Sequence, residues 1–254
     1  MTNYKISALV LAGQRPGKNQ IENKFGPFTK VDGKYAIAYV VKSLQCYEKI
    51  GQIMIVADKN RHAELLRNIS QGKNIRVFEP ELGPSLSAKK ALKNLKLPCL
   101  LTTGDHPLLS TETIKFFSDR SLEQEADLTV GIVPYDLLRD RKIRGKKTRY
   151  KFQDGDFCGA NIFLFKTVKG KQILTIWEKI EAARKKPWRI ICFFGVSFLV
   201  IYLLGRLDSK MAGNFLSKKT GLKIRFIKLD CFKAAIDLDS ERDYLLIKKI
   251  IKEG

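Results

Sequence analysis

The sequence predicts an α/β fold: a doubly wound, mostly parallel sheet with antiparallel additions and a helical C-terminal part. Three observations carry this expectation. Short, nearly unbroken apolar runs such as 6–11 and 100–103 have the character of strands buried on both faces. Stretches with helical spacing separate most of them, the alternation expected of a parallel sheet. After Val133 two strand candidates follow with no helix between them, which adds antiparallel strands at one side.

In chain order, ISALVL (6–11) is an apolar strand running into a loop that starts at Gly13, and 36–47 carries apolar residues at helical spacing. IMIVA (53–57) and IRVF (75–78) are strand candidates, with a helix expected over 61–70 between them and another over 85–95. LLTT (100–103) precedes a helix over 111–119, for which Ser110 is a good N-cap candidate. Strands then follow at 128–133, 148–152 and 160–165, a helix at 170–185, a strand at 224–229 and a closing helix at 240–251. With 254 residues, no internal repeat and no Pro/Ser-rich linker, one domain spanning 1–254 is the economical organisation.

Two strand ends carry the chemistry. Ligands of open α/β sheets collect beyond the carboxyl ends of the strands. At the first such end, LAGQRPG (11–17) offers glycines for close backbone approach and Arg15 for charge, a loop suited to phosphates. At the second, TTGDHPLL (102–109) places Asp105 at the strand tip, in a turn shaped by Gly104 and Pro107. A carboxylate there is well placed to hold a divalent cation for polyphosphate chemistry.

With these two motifs the chain resembles the MobA-like nucleotidyltransferases, a superfamily with a Rossmann-like fold. The resemblance rests on LAGQRPG (11–17), GKYAI (33–37), GDHPLL (104–109), the base-segment match GPSLSAKKAL (83–92), the acceptor-strand match FCGANIFLF (157–165) and the closing element AIDLDSERDYLLI (235–247). It implies an EC 2.7.7-type enzyme that moves a nucleoside monophosphate from a triphosphate, CTP or GTP, to a phosphorylated small-molecule acceptor, releasing pyrophosphate with Mg²⁺ or Mn²⁺. Carried over residue by residue, it implies that Asp105 and Asp239 hold the metal, with Asp237 competing for the second place. Arg15 and Lys30 stabilise pyrophosphate, with Lys24 the other lysine candidate. Leu11, Ala12 and Gly13 bind the nucleotide, Gly83, Pro84, Ser85 and Ser87 contact the base, and Gly159 and Asn161 meet the acceptor. The chain departs from the family pattern at Gln14, where a second glycine is usual, and at Tyr35, where a proline is usual; the latter predicts a looser turn.

Five dispersed cysteines, no CxxC pair and two histidines exclude a disulfide framework and a zinc site, and suit a reduced, cytoplasmic protein. The formal charge of +21 is concentrated in part at 139–151, where eight Lys or Arg face Asp140 alone. Such a run is either a solvated face or a guide for anionic nucleotide and acceptor, an acidic membrane surface or, least of the three, RNA. No RNA module accompanies it, so nucleic acid is not an expected partner. The uncharged run 190–205 falls short of a spanning helix. It is expected to form a packed or surface-lying helix within 188–206, suited to peripheral contact with the inner face of a membrane. The competing function class is a catalytically degenerate binding protein on the same fold, attached to a membrane surface or RNA.

Overall fold

A computed structural model describes residues 5–13, 25–60, 62–70, 74–141, 143, 147–183, 201–202 and 204–253. It opens with strand β1 (Ile6–Leu11), then a small hairpin of β2 (Lys30–Val31) and β3 (Lys34–Tyr35) leading into α1 (Ala36–Cys46). β4 (Ile50–Val56), α2 (Ala63–Ser70), β5 (Ile75–Phe78), α3 (Pro84–Ala91), β6 (Cys99–Thr103) and α4 (Thr111–Glu123) continue the alternation. Beyond them come β7 (Leu128–Pro134), α5 (Asp136–Arg139), β8 (Tyr150–Phe152), β9 (Gly155–Phe165), α6 (Ile173–Ala183), α7 (Ser209–Thr220), β10 (Ile224–Lys228) and α8 (Glu241–Glu253).

The main sheet runs β10-β7-β9-β6-β1-β4-β5, with β8 paired to the start of β9. β1 is parallel to both β4 and β6, β4 to β5, and β7 to β10, whereas β9 lies antiparallel between β6 and β7. The fold is therefore the Rossmann-like α/β class expected from the sequence, and its antiparallel pairing enters through β9, which runs against its neighbours β6, β7 and β8.

Every residue of β1 is buried, and its side chains alternate between two cores. Ile6, Ala8 and Val10 pack with Ile37, Val40 and Leu44 of α1 and with Ile114 and Phe117 of α4. Leu9 and Leu11 pack on the other face with Ala88 and Ala91 of α3 and Leu174 of α6. Helices on both faces explain why the strand carries no polar stripe. The N-cap expected of Ser110 is present: its Oγ accepts from Thr113 N at 3.2 Å.

Three differences from the sequence reading have local causes. The turn before Tyr35 is tight rather than loose: Asp32 and Gly33 have φ of 49° and 79°, the two positive values a two-residue primed hairpin turn needs, and Asp-Gly supplies them. Helix α7 was not among the expected elements, although Asp208 caps it through Met211 N at 2.6 Å and Gly221 ends it at φ 71°. The third is that β4 and β9 begin earlier than their apolar runs, since partner strands continue the ladder across Gly51 and Gly159. Most of the apolar run 190–205 lies outside the described residues. Among those described, no helix is long and apolar enough to cross a membrane.

Candidate active site

The carboxyl ends of β1, β4 and β6, with the middle of the antiparallel β9, open onto a cleft of about 440 Å³, lined among others by Leu11, Gly13, Gly83, Pro84, Ser87 and Asp105. Close backbone approach builds it. A Cβ on Gly13 would stand 3.1 Å from Pro80 Cβ, and one on Gly104 would stand 3.2–3.3 Å from Pro27, Ala12 and Ile37. Gly104 N donates to the Leu11 carbonyl at 2.9 Å, locking the Asp105 turn beside the loop that follows β1. A side chain at either position would press on these neighbours at the strand ends.

Asp105 is fixed twice. Its Oδ1 accepts from Thr103 Oγ1 at 2.5 Å, and its main-chain carbonyl accepts from Leu238 N at 2.9 Å. The second bond ties the closing segment to the Asp105 turn and brings Asp239 alongside. Asp239 is exposed at the rim and lines both this cleft and a neighbouring one. Partial desolvation and the Asp105 charge push its carboxyl above the usual range, with Lys147 opposing. Two carboxylates that repel each other form a donor set suited to a hard divalent cation, which takes oxygen ligands and completes its shell with phosphate and water. Among the described residues, no larger cluster of His, Cys, Asp and Glu stands ready to hold a metal.

Asn161 sits where the two clefts meet. Between the pairs Val130–Phe163 and Ile132–Gly159, three residues of β9 oppose Gly131, and this bulge puts Asn161 at φ 47°. Asparagine tolerates that left-handed region better than most residues. Its amide Nδ2 lies 2.9 Å from His106 Nε2. Burial holds the His106 imidazole below its ordinary pKa against the pull of Asp105. The neutral ring thus accepts from Asn161 and fixes the direction of the amide.

The neighbouring cleft, about 730 Å³, is lined by Lys147, Tyr150, Cys158 and Gly159 on one side and by Asp237, Asp239 and Asp243 on the other. Lys147 is the side chain that motif reading missed. It emerges from the basic run, is only 14% exposed, and its ammonium pairs with Asp237 and stands 3.8 Å from Asp243. Asp237 is engaged there, whereas Asp239 faces Asp105. The α8 cap is supplied by Ser240, whose Oγ accepts from Asp243 N at 3.2 Å, so neither Asp237 nor Asp239 serves as that cap.

Other expected site residues are placed as follows. Ala12 is buried and its N donates to the Val56 carbonyl at 2.9 Å, so it shapes the loop rather than facing the cleft. The Ser85 hydroxyl, expected at the base, instead donates to Glu181 Oε2 at 2.6 Å. Ser87 lines the cleft, but its Oγ accepts from Glu81 N at 2.8 Å. Lys30 lies outside the lining of either cleft, with Nζ 5.1 Å over the Tyr35 ring. Arg15 and Lys24 lie outside the described residues. The capture of Ser85 by a distant helix leaves no trace in local sequence.

The family model of the MobA-like NTP transferase domain matches residues 8–136. A hypothetical transferase from Thermus thermophilus has the same fold, with a TM-score of 0.79 at 23% identity over 94% of this chain and 99% of that one. The 4-diphosphocytidyl-2C-methyl-D-erythritol synthase of Anaerococcus prevotii gives a TM-score of 0.62 at 14% identity, over 98% and 99% of the two chains. A CMP:2-keto-3-deoxy-manno-octonic acid synthetase complexed with CTP gives 0.64 at 8% identity, over 98% and 99%. At these identities the likeness is one of fold. Among curated proteins no match to the sequence is found.

Proposed function

Since the chain belongs to the MobA-like NTP transferase family and is a nucleotidyltransferase, we propose that it transfers a nucleoside monophosphate from CTP or GTP to a phosphorylated small molecule, with Mg²⁺ or Mn²⁺, releasing pyrophosphate. The observation that carries this reading is the pairing of Asp105, in the cleft suited to the nucleotide, with Asp239, which lines both that cleft and the one suited to the acceptor. Cytidine nucleotides are named for two proteins of the same fold, one a diphosphocytidyl synthase and one complexed with CTP.

An oxygen of the acceptor phosphate attacks the α-phosphorus in line; the new P–O bond forms as the bond to the α–β bridging oxygen breaks, and pyrophosphate leaves with that electron pair. An acceptor phosphate is already anionic near neutral pH, so the protein need not remove a proton. Its work is positioning and charge neutralisation. Gly13 lets the loop after β1 approach the phosphates, and Arg15 takes the pyrophosphate charge. Lys30 would have to swing off Tyr35 to share it. Gly83, Pro84 and Ser87 border the base. Gly159 and the Asn161 amide, aimed by His106, hold the acceptor. Asp105 and Asp239 would hold the cation, which when bound neutralises developing charge on the transferred phosphoryl group.

The test is a screen of the four nucleoside triphosphates against phosphorylated sugars and alcohols, reading pyrophosphate release with and without Mg²⁺. Metal-dependent release that requires a phosphorylated acceptor supports the proposal. Absence of triphosphate binding in calorimetry overturns it.

A further inference from the structure

The base end of the nucleotide cleft has a wall outside the motifs of the first half of the chain. Resting on the nucleotide reading above, we infer that Trp177 of α6 is the stacking platform for the nucleobase. Trp177 is half-buried and lines the same cleft as Gly13, Gly83 and Asp105. Phe163 of β9 lines it too, with its ring 6.2 Å from the indole and tilted by 33°. On the rim stands Leu82, 84% exposed, immediately before Gly83. A flat base entering beside these groups would cover apolar surface that water now contacts.

Helix geometry explains why Trp177 takes this place. Leu174, Trp177 and Glu181 share one face of α6, at positions i, i+3 and i+7. Leu174 is buried in the core, and Glu181 accepts from the Ser85 hydroxyl at 2.6 Å. Trp177 lies between these anchors. Lys89 pairs with Glu178 at 3.1 Å, and Lys171 Nζ donates to the Leu92 carbonyl at 2.7 Å. The helix and the turn before it are thus tied to α3 and the turn after it, and the indole is held at the cleft before any ligand arrives. Such preorganisation favours binding because little side-chain freedom remains to be lost.

Stacking accepts any base, since every base has a π-face. Trp177 therefore contributes affinity, and base choice falls to the edge contacts of the segment around Gly83. The chain has two tryptophans, so Trp188→Phe leaves Trp177 as the sole indole reporter. In that background CTP and GTP should change its emission, while tripolyphosphate, which lacks a base, should not. Trp177→Leu, which keeps apolar bulk, should weaken both nucleotides by roughly ten- to a hundred-fold and leave the acceptor KM unchanged; Trp177→Phe should recover most of the loss. Thermal melts establish that each variant is folded. Nucleotide binding by calorimetry without any change in Trp177 emission, or with Trp177→Phe and Trp177→Leu binding equally, would overturn the inference alone. Failure of every triphosphate to bind would overturn it together with the reading on which it rests.

Discussion

Replacing Asp105 by Asn is the sharpest test of the catalytic reading, because the structure separates its charge from its role in folding. The Thr103 Oγ1 bond at 2.5 Å can be kept by the Asn carbonyl, and the tie from Leu238 N ends on the Asp105 main chain, which the substitution leaves intact. What disappears is one unit of negative charge facing Asp239. At an effective dielectric of about 20, two unit charges about 4 Å apart interact by about 4 kcal/mol. If that attraction is exerted on the cation in the transition state, turnover should fall about a thousand-fold. Stability should move the other way or not at all, since losing the Asp105 charge relieves the repulsion that raises Asp239. The assay pairs pyrophosphate release at saturating Mg²⁺ with a thermal melt. A variant that keeps turnover within about tenfold of wild type would refute the assignment of Asp105. So would a loss of activity that tracks a lowered melting temperature.

Asp239→Ala should abolish metal-dependent turnover at little cost in stability. Asp237→Ala should instead lower the melting temperature by an amount corresponding to about 2 kcal/mol, because it leaves Lys147 with Asp243 at 3.8 Å; this is less than for a fully buried pair that loses its whole partner. The two melts and two activity traces give the ranking, and an Asp237→Ala variant that is inactive yet fully stable would reverse the assignment. At Asp127, burial alone would raise the carboxyl, but bonds from Thr167 Oγ1 at 2.6 Å and Lys223 N at 2.8 Å prevail and hold it below the usual range. A depressed folded-state pKa stabilises above the unfolded value and is lost as pH falls through the folded one. Asp127→Asn should therefore flatten the acid side of a urea-melt series, and an unchanged pH slope would exclude Asp127 from it. Gly170→Ala would put a Cβ 2.4 Å from the Asp127 carbonyl oxygen, and denaturant melts should show a loss of about 3 kcal/mol; a neutral substitution would mean that the loop shifts freely.

The sequence by itself determined most of the strands and the turn that carries Asp105, because those signals are local. ISALVL and the run before Gly104 match β1 and β6 closely, because strands inside the sheet with helices on both faces are nearly apolar throughout, and IRVF matches the edge strand β5 through its β-branched and aromatic residues although Arg76 is exposed. The place of Asp105 followed from a strand end and a turn, both spelled out within a few residues. The Asp-Gly hairpin and α7 were equally legible, through a turn pair and a cap, but do not stand out from the surrounding polar residues.

Tertiary structure alone decided which side chains share a space. The bond from Leu238 N to the Asp105 carbonyl joins two acidic segments that are far apart in the chain, and the partner of Lys147 depends on where the basic run lands. Ser85 had the right residue type for the base segment, yet its hydroxyl turns to Glu181. Lys30 stands on Tyr35, its neighbour across the hairpin. Hydrophobic patterning records only whether a residue faces the core. A hydrogen-bond or ion-pair partner is set by the packing of whole helices and strands, and that packing is a property of the assembled sheet rather than of any one segment.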